Sequence, residues 1–321
     1  MTKIRTLRIG TRASKLAMAQ THLTVAAIKR LHPEIALEIV TADTTGDKTQ
    51  AANTPLQKIG GKGLFADALN QMMDEGRVDM IVHSMKDLPS VRPDKYRIAA
   101  MLERGDPRDC LLTNMPNAAG IDDLPQGAIV GTSAPRRAAV LLRKRPDLKV
   151  VVYRGNVDTR LQKLRDGFEG VAATFLARVG LVRLGLTDIP QTILSADEFL
   201  PPAGQAAIGI EIMRANEELY EVLKDIGCAK TFRCVTAERA CLAVVDGDCK
   251  TSIAAYATEE NGTIRLRSEI YTPDGKDMQK VEVSGPAPEA EALGTQAGEK
   301  LLAAIGASDF ARYHMRVPAD V

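Results

Sequence analysis

The sequence predicts an α/β protein that has two similar α/β units and a smaller α+β unit near its C-terminal end. Strand and helix patterns alternate through about the first 215 residues, which is typical of mostly parallel sheets. In the last third, strand patterns at 252–258, 263–271 and 279–283 precede one helical stretch at 287–305. This order is typical of a small antiparallel domain with a helix. The 321 residues are enough for two or three domains, each with its own core.

Composition and charge disfavour several classes of protein. Hydrophobic residues make up 45% of the chain and charged residues 26%, which is typical of a globular protein and not of a disordered one. The 42 Lys and Arg against 41 Asp and Glu leave a net charge of +1, so no global field would hold the protein on nucleic acid or on an anionic membrane. Aromatic residues are only 4% and Trp is absent, which argues against base-stacking surfaces. Any affinity for anions must therefore be local.

The N-terminal residues and the cysteines indicate a cytoplasmic protein. The sequence MTKIRTLRIG runs directly into a strand pattern, without the apolar segment of a secretory signal, and no apolar stretch approaches the length of a membrane span. Five cysteines, an odd number, are expected to be reduced thiols. Those near the start of the last third form no C-x-x-C pair and have no nearby His, so we expect no metal site.

Two segments share one plan, in which an apolar strand ends in Gly-Thr and an amphipathic helix follows. They are LRIGTRASKLAMAQ and AIVGTSAPRRAAVLL. We expect Ser14 to cap the first helix, and Ser133 to lie in the cap region of the second, with Pro135 in its first turn. The backbone N–H groups at each turn would form a seat for an anion. The apolar face of the first helix is predicted to hold Leu16, Ala19, Leu23 and Ala27.

Many basic residues fall at strand ends or helix starts rather than in the middle of an element. In a protein that is neutral overall, this placement predicts a group of cations around one cleft between two domains. Carboxylates or phosphates are the natural ligands of such a cleft. For any single member, a solvated surface charge is an equally good interpretation. The group comprises Arg12, Lys58, Lys62, Lys86, Arg136, Arg137, Arg154 and Arg160.

One acid and one thiol stand out on loops. Asp87 follows a strand in HSMKDLP, where a carboxylate in the cleft would stabilise a developing cation or transfer a proton. The alternative is a loop Asp that caps a turn before proline. Cys249 lies in the turn sequence GDC, where a thiol is either incidental or a covalent attachment point. By contrast, Cys241 has the spacing of a core residue, and His83 is expected to be packed and hydrogen-bonded.

Seven segments, in their order and spacing, resemble the porphobilinogen deaminase (hydroxymethylbilane synthase) family, over about residues 5–315. They are GTRASKLA, GGKGLF, HSMKDLP, GTSAPRR, RGNVDTRLQKL, LPPAGQAAIGIE and ERACLAVVDGDCKTSIAAYA. The resemblance implies two domains like those of type II periplasmic binding proteins around a cleft, and a small third domain. We expect domain 1 to comprise residues 1–103 and 202–222, domain 2 residues 104–201, and domain 3 residues 223–321 with Cys249. It also implies a monomer.

The resemblance implies a cofactor and a reaction. Members carry a dipyrromethane built from the substrate and joined by a thioether to a loop cysteine, which Cys249 matches. They add four porphobilinogen units head to tail to this primer, with loss of ammonia each time, and then hydrolyse off the linear tetrapyrrole. Asp87 matches the carboxylate that stabilises the positive charge developing on a pyrrole nitrogen and shuttles protons. Because each porphobilinogen carries an acetate and a propionate, a basic cleft would neutralise the growing chain.

A larger set of residues matches family positions that hold the cofactor or substrate side chains. They are Arg12, Ser14, Lys58, Lys62, Ser84, Lys86, Thr132, Ser133, Arg136, Arg137, Arg154, Arg160 and Arg183, with Phe65 in the GGKGLF segment and Gln205 in the hinge-side GQ motif. The sequence departs from the commonest family pattern at Ala134, Ala206 and Thr251-Ser252. The main alternative to an enzyme is a non-catalytic cytosolic solute-binding protein for a polycarboxylate ligand, since a two-domain cleft serves either purpose.

Overall fold

A computed structural model describes residues 4–42, 66–115, 118–245, 251–306 and 309–314. The strands in chain order are β1 (Thr6–Arg12), β2 (Ala36–Ala42), β3 (Met80–Ser84), β4 (Tyr96–Met101), β5 (Asp109–Thr113), β6 (Ile129–Gly131), β7 (Lys149–Val151), β8 (Val171–Ala177), β9 (Thr192–Ile193), β10 (Ile208–Met213), β11 (Ile253–Glu260), β12 (Thr263–Tyr271) and β13 (Met278–Pro286). The α-helices are α1 (Lys15–Leu31), α2 (Asp67–Asp74), α3 (Pro135–Lys144), α4 (Val157–Arg165), α5 (Arg178–Arg183), α6 (Glu217–Leu223), α7 (Ala229–Val244), α8 (Ala290–Ile305) and α9 (Phe310–His314).

Two five-stranded sheets have the same arrangement. The first sheet has the order β2-β1-β3-β10-β4, and the second has the order β7-β6-β8-β5-β9. In each, the first three strands pair in parallel and the last two pairings are antiparallel. Since β10 follows the whole second sheet in the sequence, the chain crosses between the sheets twice, once after β4 and once before β10. The predicted fold class, two α/β units with a small α+β unit, is confirmed.

The strands of the first sheet are apolar because both faces of the sheet are covered. Ile9, Met80 and Ile210 are fully buried in one core cluster on adjacent strands. The run MIVH in β3 is buried throughout, as expected for a central strand of a largely parallel sheet. Polar residues begin at the carboxyl ends of the parallel strands β1 and β3, with Arg12 at the first and Ser84 at the second. These residues therefore lie at the same edge of the sheet.

Helix α1 begins as predicted but buries a different face. Its first turn is capped by Ser14, whose hydroxyl accepts a hydrogen bond from the backbone N–H of Ala17 at 3.3 Å. Leu23 is 47% exposed, whereas Thr21 is fully buried. The Thr21 hydroxyl lies 2.8 Å from that of Thr11 in β1, so its burial costs no hydrogen bond. The prediction from apolar spacing, which placed Leu23 on the buried face of this helix, is therefore wrong.

The third sheet, β11-β12-β13, is antiparallel and packs against α7 and α8. Cys241 of α7 is fully buried in this core, as its spacing predicted. Gly294 allows the two helices to approach closely, because a Cβ there would lie 2.2 Å from the Ala237 carbonyl oxygen. Among the described helices, none is long and apolar enough to cross a membrane.

Candidate active site

A cavity of about 260 Å³ is lined by residues that follow strands of both large sheets. From the first sheet come Arg12, the last residue of β1, and Lys86 and Asp87, which follow β3. From the second come residues after β6 and β7 and at the start of α3 and α4: Ser133, Arg137, Arg154 and Arg160. A smaller cavity of about 70 Å³ adjoins Asp87 and is lined also by Arg12, Ser14, Gln20, His83 and Ser84. Five of the eight cations in the predicted group therefore line this one cavity: Arg12, Lys86, Arg137, Arg154 and Arg160.

Asp87 lies on a short 3-10 turn, Met85–Asp87, directly after β3. The turn is supported from behind by the segment that leads into β10. Met85 is buried, and its N–H donates to the Ala207 carbonyl at 3.1 Å. Gly204 approaches so closely that a Cβ there would lie 2.9 Å from the carbonyl carbon of Met85. With the turn held this way, the side chains of Lys86 and Asp87 reach the cavity.

Lys86 is held at the cavity by an amide. Its Nζ donates to Gln205 Oε1 at 3.3 Å. Although the side chain reaches solvent in the cleft, the protein around it lowers the pKa of Lys86 by desolvation, and the charges of Arg137 and Arg160 act in the same direction. Asp87 opposes this shift. An anionic ligand would compensate for the lost solvation of Lys86 and reduce the repulsion between the cations.

Arg137 and Arg136 share one buried carboxylate, Asp109 in β5. Arg137 Nη2 donates to Asp109 Oδ1 at 2.8 Å, and Arg136 Nη2 bonds Oδ2. Burial acts to raise the pKa of Asp109, but the charges and hydrogen bonds of the two arginines lower it well below its usual range. Two cations on one anion leave an excess positive charge. Arg137 lines the cavity, whereas Arg136 is 4% exposed, lines neither cavity, and donates to the Leu200 carbonyl.

Arg154, which is buried, and Arg160, which is half-buried, bring positive charge to the second-sheet side of the cavity. Arg154 is 3% exposed, and burial lowers its pKa. Burial, then the charges of Arg137 and Arg154, lower the pKa of Arg160 to about 10, so it remains protonated at neutral pH. Among the described residues, no carboxylate lies within ion-pair distance of Arg160, whose Nε donates to the Gly155 carbonyl at 2.9 Å. Charge that is held out of water in this way favours an anionic ligand.

The hydroxyl residues are partly used within the protein. Ser84 donates to Gln20 Oε1 at 2.9 Å, and Ser133 accepts from the Tyr153 N–H at 3.0 Å. Thr132 accepts from the Ala134 N–H at 3.2 Å. Helix α3 begins at Pro135 without a side-chain cap, so Ser133 does not cap it.

Like Thr132 and Arg136, two further predicted site residues lie beside the cavities rather than in their walls. Gln205 is fully buried, and besides Lys86 it bonds Asp109 Oδ1 at 2.9 Å. Arg183 donates to the Ala206 carbonyl at 2.6 Å, and burial lowers its pKa to about 10. Lys58, Lys62, Phe65 and Cys249 lie outside the described residues.

The sequence interpretation missed two features of the site. Asp109 is an acid at the start of a largely apolar strand, DCLLT, and a buried acid needs a cationic partner. The paired arginines of PRR were the sequence feature that could have indicated this partner. Lys15 Nζ lies 2.7 Å from Asp158 Oδ2, and both line the larger cavity from opposite sheets. No local pattern in the sequence indicates that contact, because the two residues meet only when α1 and α4 face each other.

Comparison with solved structures returns periplasmic binding proteins, other periplasmic domains, and regulatory or effector-binding domains. The periplasmic aliphatic sulphonate binding protein SsuA from Escherichia coli is 14% identical, with 74% of this chain and 70% of that chain covered and a TM-score of 0.41. The BvgS periplasmic VFT2 domain from Bordetella pertussis is 15% identical, with 69% of this chain and 86% of that chain covered and a TM-score of 0.40.

Two family models match most of the chain. Residues 7–221 match "Porphobilinogen deaminase, dipyromethane cofactor binding domain", and residues 232–303 match "Porphobilinogen deaminase, C-terminal domain". The first match includes every described residue that lines the two cavities. The chain belongs to the porphobilinogen deaminase family, whose members are transferases of tetrapyrrole synthesis that act on porphobilinogen and carry a dipyrromethane cofactor.

Proposed function

We propose that this protein is a hydroxymethylbilane synthase. It condenses four porphobilinogen molecules head to tail on a covalent dipyrromethane primer, releases ammonia at each addition, and hydrolyses the product to a linear tetrapyrrole. The observation that carries the proposal is the cavity that Arg137, Arg154 and Arg160 line together with the exposed carboxylate of Asp87. The family match supports an enzyme over the alternative, a non-catalytic solute-binding protein.

The residues of the cavity fit the cofactor. Each of its rings carries an acetate and a propionate, as porphobilinogen does, so it needs several cations that are held out of water. Arg154 and Arg160 meet this need, since burial lowers the pKa of both and an anion would relieve that cost. Arg137 adds the excess charge that Asp109 leaves. When bound, the dipyrromethane supplies the pyrrole carbon to which substrate is joined.

The remaining predicted ligands fall into three groups: residues in the cavity walls, residues next to them, and residues outside the described chain. Arg12, Ser14, Ser84 and Lys86 line the cavities beside Asp87, and Ser133 lines the larger one. We assign them to carboxylate groups of cofactor and substrate. Thr132, Arg136, Arg183 and Gln205 lie next to these residues and hold them or the adjoining backbone, while the parts of Lys58, Lys62 and Phe65 rest on the sequence resemblance alone.

Asp87 is the catalytic carboxylate of this proposal. It reaches the cavity from a turn that Met85 anchors, so the backbone is fixed while the side chain is accessible. A carboxylate there stabilises positive charge on a pyrrole nitrogen of the substrate and then accepts its proton. Lys86, its neighbour, is directed toward Gln205 and leaves Asp87 free to face the ligand.

Cys249 is the attachment point. Helix α7 ends at Val244, so only four residues of sequence separate that helix from the thiol. The other cysteines are poorer candidates where the structure describes them, because burial raises the pKa of Cys110 to about 12 and that of Cys234 and Cys241 to about 11. Cys228 is half-buried and belongs to no cavity described above. We further propose a cytoplasmic monomer that binds neither nucleic acid nor membrane, in keeping with the net charge of +1.

The test is to incubate the purified protein with porphobilinogen. We expect substrate loss, one ammonia per molecule consumed, and a linear tetrapyrrole as product. Asp87→Asn should lower kcat by about 10²- to 10⁴-fold, in the range of a lost acid–base group. Binding of porphobilinogen without its consumption, by protein that is fully loaded with cofactor, would instead support a solute-binding protein.

A further inference from the structure

One side chain of helix α7, Arg239, hydrogen-bonds the loop that follows Asp87, and Val235 of the same helix packs in one apolar cluster with Met85 and Leu88. The guanidinium donates to three successive backbone carbonyls of that loop: Nη1 to Leu88 at 2.9 Å, and Nη2 to Pro89 at 2.5 Å and to Ser90 at 3.1 Å. The Met85 carbonyl, at the start of the catalytic turn, lies 3.5 Å from Nη1. One side chain therefore spans the backbone on both sides of Asp87.

The contact desolvates the charged guanidinium of Arg239. Burial lowers the pKa of Arg239 to about 10, helped by the charge of Arg92 and opposed by Glu211. In the part of the chain that the structure describes, no carboxylate lies within ion-pair distance of Arg239. A half-buried cation without a paired anion is partly desolvated, and neutral carbonyls offset that cost only in part. Its benefit therefore lies in geometry rather than in net stability.

Arginine suits this geometry. Its guanidinium is a rigid plane with five N–H donors, so it fixes several acceptors at once, which an ammonium on a flexible stem does not. The loop carbonyls of Leu88, Pro89 and Ser90 need donors, and Pro89 itself has no N–H to contribute to a turn. Arg239 thus replaces a backbone hydrogen-bond pattern that this loop lacks.

The neighbouring residue, Glu238, holds the other side of the same turn. It is fully buried, accepts from the Gly204 N–H at 2.7 Å and from the Ala257 N–H at 2.8 Å, and pairs with Arg104 Nη1 at 2.6 Å. Gly204 is the residue that packs against Met85. Two consecutive residues of α7 therefore reach the turn of Asp87, one directly and one through Gly204.

We propose that Arg239 is a positioning residue, which fixes the turn of Asp87 to the helix that leads to Cys249. This inference rests on the proposed function, in which Asp87 acts on a substrate joined to a cofactor on Cys249. The contact would then keep the position of the catalytic carboxylate constant relative to the unit that carries the cofactor. Misplacing a catalytic group by about 1 Å costs on the order of 10²-fold in rate. The effect of losing the contact should therefore fall on kcat and not on substrate affinity.

The test uses Arg239→Met, which keeps much of the side-chain stem and removes the donors, and Arg239→Lys, which keeps the charge. The matched control is Arg233→Met on the same helix. Arg233 does not contact the turn of Asp87 in the described hydrogen bonds; its Nη2 pairs with Glu259 Oε1 of β11 at 2.7 Å. Each holoenzyme is measured for kcat, KM, intact mass as a record of bound cofactor, and hydrogen exchange in peptides that cover 85–92.

We expect Arg239→Met to lower kcat by about 10- to 100-fold with KM within about twofold and the cofactor mass unchanged. In Arg239→Met, hydrogen exchange at 85–92 should accelerate, and Arg239→Lys should recover part of kcat. Arg233→Met should keep the wild-type kcat and the wild-type exchange at 85–92. Wild-type kcat in Arg239→Met would overturn the inference, and so would a rate loss that only follows lost cofactor or unfolding. If Arg239→Met fails to fold, the kcat and exchange of Arg239→Lys decide. If wild-type protein consumes no porphobilinogen, the proposed function fails, while exchange at 85–92 still tests the contact.

Discussion

Arg137 Nη2 lies 2.8 Å from Asp109 Oδ1, so a guanidinium in the cavity wall is held from behind by a carboxylate that has no exposed surface. The same carboxylate bonds Arg136 and Gln205, and Gln205 bonds Lys86. Two cations of the cavity therefore share one buried support. That support explains how like charges are held close together before any ligand neutralises them.

Asp109→Asn should destabilise the protein by about 3–5 kcal/mol, because it leaves two buried guanidiniums without their counter-charge. The free energy of unfolding from urea titration measures this. Asp106→Asn is the control: that carboxylate is 23% exposed and pairs with Arg108 and Arg178, so the loss should be smaller. Equal losses in the two variants would contradict the supporting role of Asp109.

Acid should weaken the fold through the same region. Hydrogen bonds from Arg108, and next from Arg178, outweigh burial and lower the pKa of Asp106 to about 2. A carboxyl whose pKa is lower in the folded state stabilises the fold above its unfolded pKa, near 4, and this contribution is lost as pH falls toward about 2. The loss is on the order of 2 kcal/mol. We expect the unfolding free energy of the wild type to fall more steeply from pH 4 to pH 2 than that of Asp106→Asn, and parallel slopes would refute this.

Gly204→Ala should impair catalysis through the turn of Asp87. Gly204 has a φ of +69°, and a Cβ would lie 2.9 Å from Met85 backbone and 3.0 Å from the Lys86 nitrogen. Gly185 has the same φ of +69° but no atom within 4 Å of its Cβ position, so Gly185→Ala measures the backbone cost alone, about 1 kcal/mol. We expect kcat to fall only in Gly204→Ala. Similar kcat in the two variants would show that the turn tolerates the displacement.

Arg160→Leu should weaken binding of the carboxylates. A charge-assisted hydrogen bond contributes about 1.5–3 kcal/mol, so we expect about a 10- to 100-fold rise in KM for porphobilinogen or a matching loss of bound cofactor. Arg165→Leu on the same helix is the control, since Arg165 is exposed and outside the cavity. Unchanged KM and cofactor content in Arg160→Leu would remove Arg160 from the binding site.

Much of the fold followed from local patterns, and parts of the site did not. The strand of β3 and the cap at Ser14 were predictable because an apolar run and an N-cap are local features. The exposure of Leu23 was not, because the burial of Thr21 depends on a hydroxyl partner in β1. Burial of Arg136 behind the cavity was also beyond local reasoning, since Asp109 is 27 residues away in the sequence. Contacts such as Arg239 with Pro89 join segments 150 residues apart, and only the tertiary structure brings them together.

The central claim, a covalent primer on a loop thiol, is tested most directly by intact mass under denaturing conditions, for wild type and Cys249→Ser. We predict that the wild type carries excess mass equal to two linked pyrrole units, either as purified or after incubation with porphobilinogen, and that Cys249→Ser carries none. A wild-type mass that stays unmodified after that incubation, or an equal excess mass in Cys249→Ser, would contradict the account.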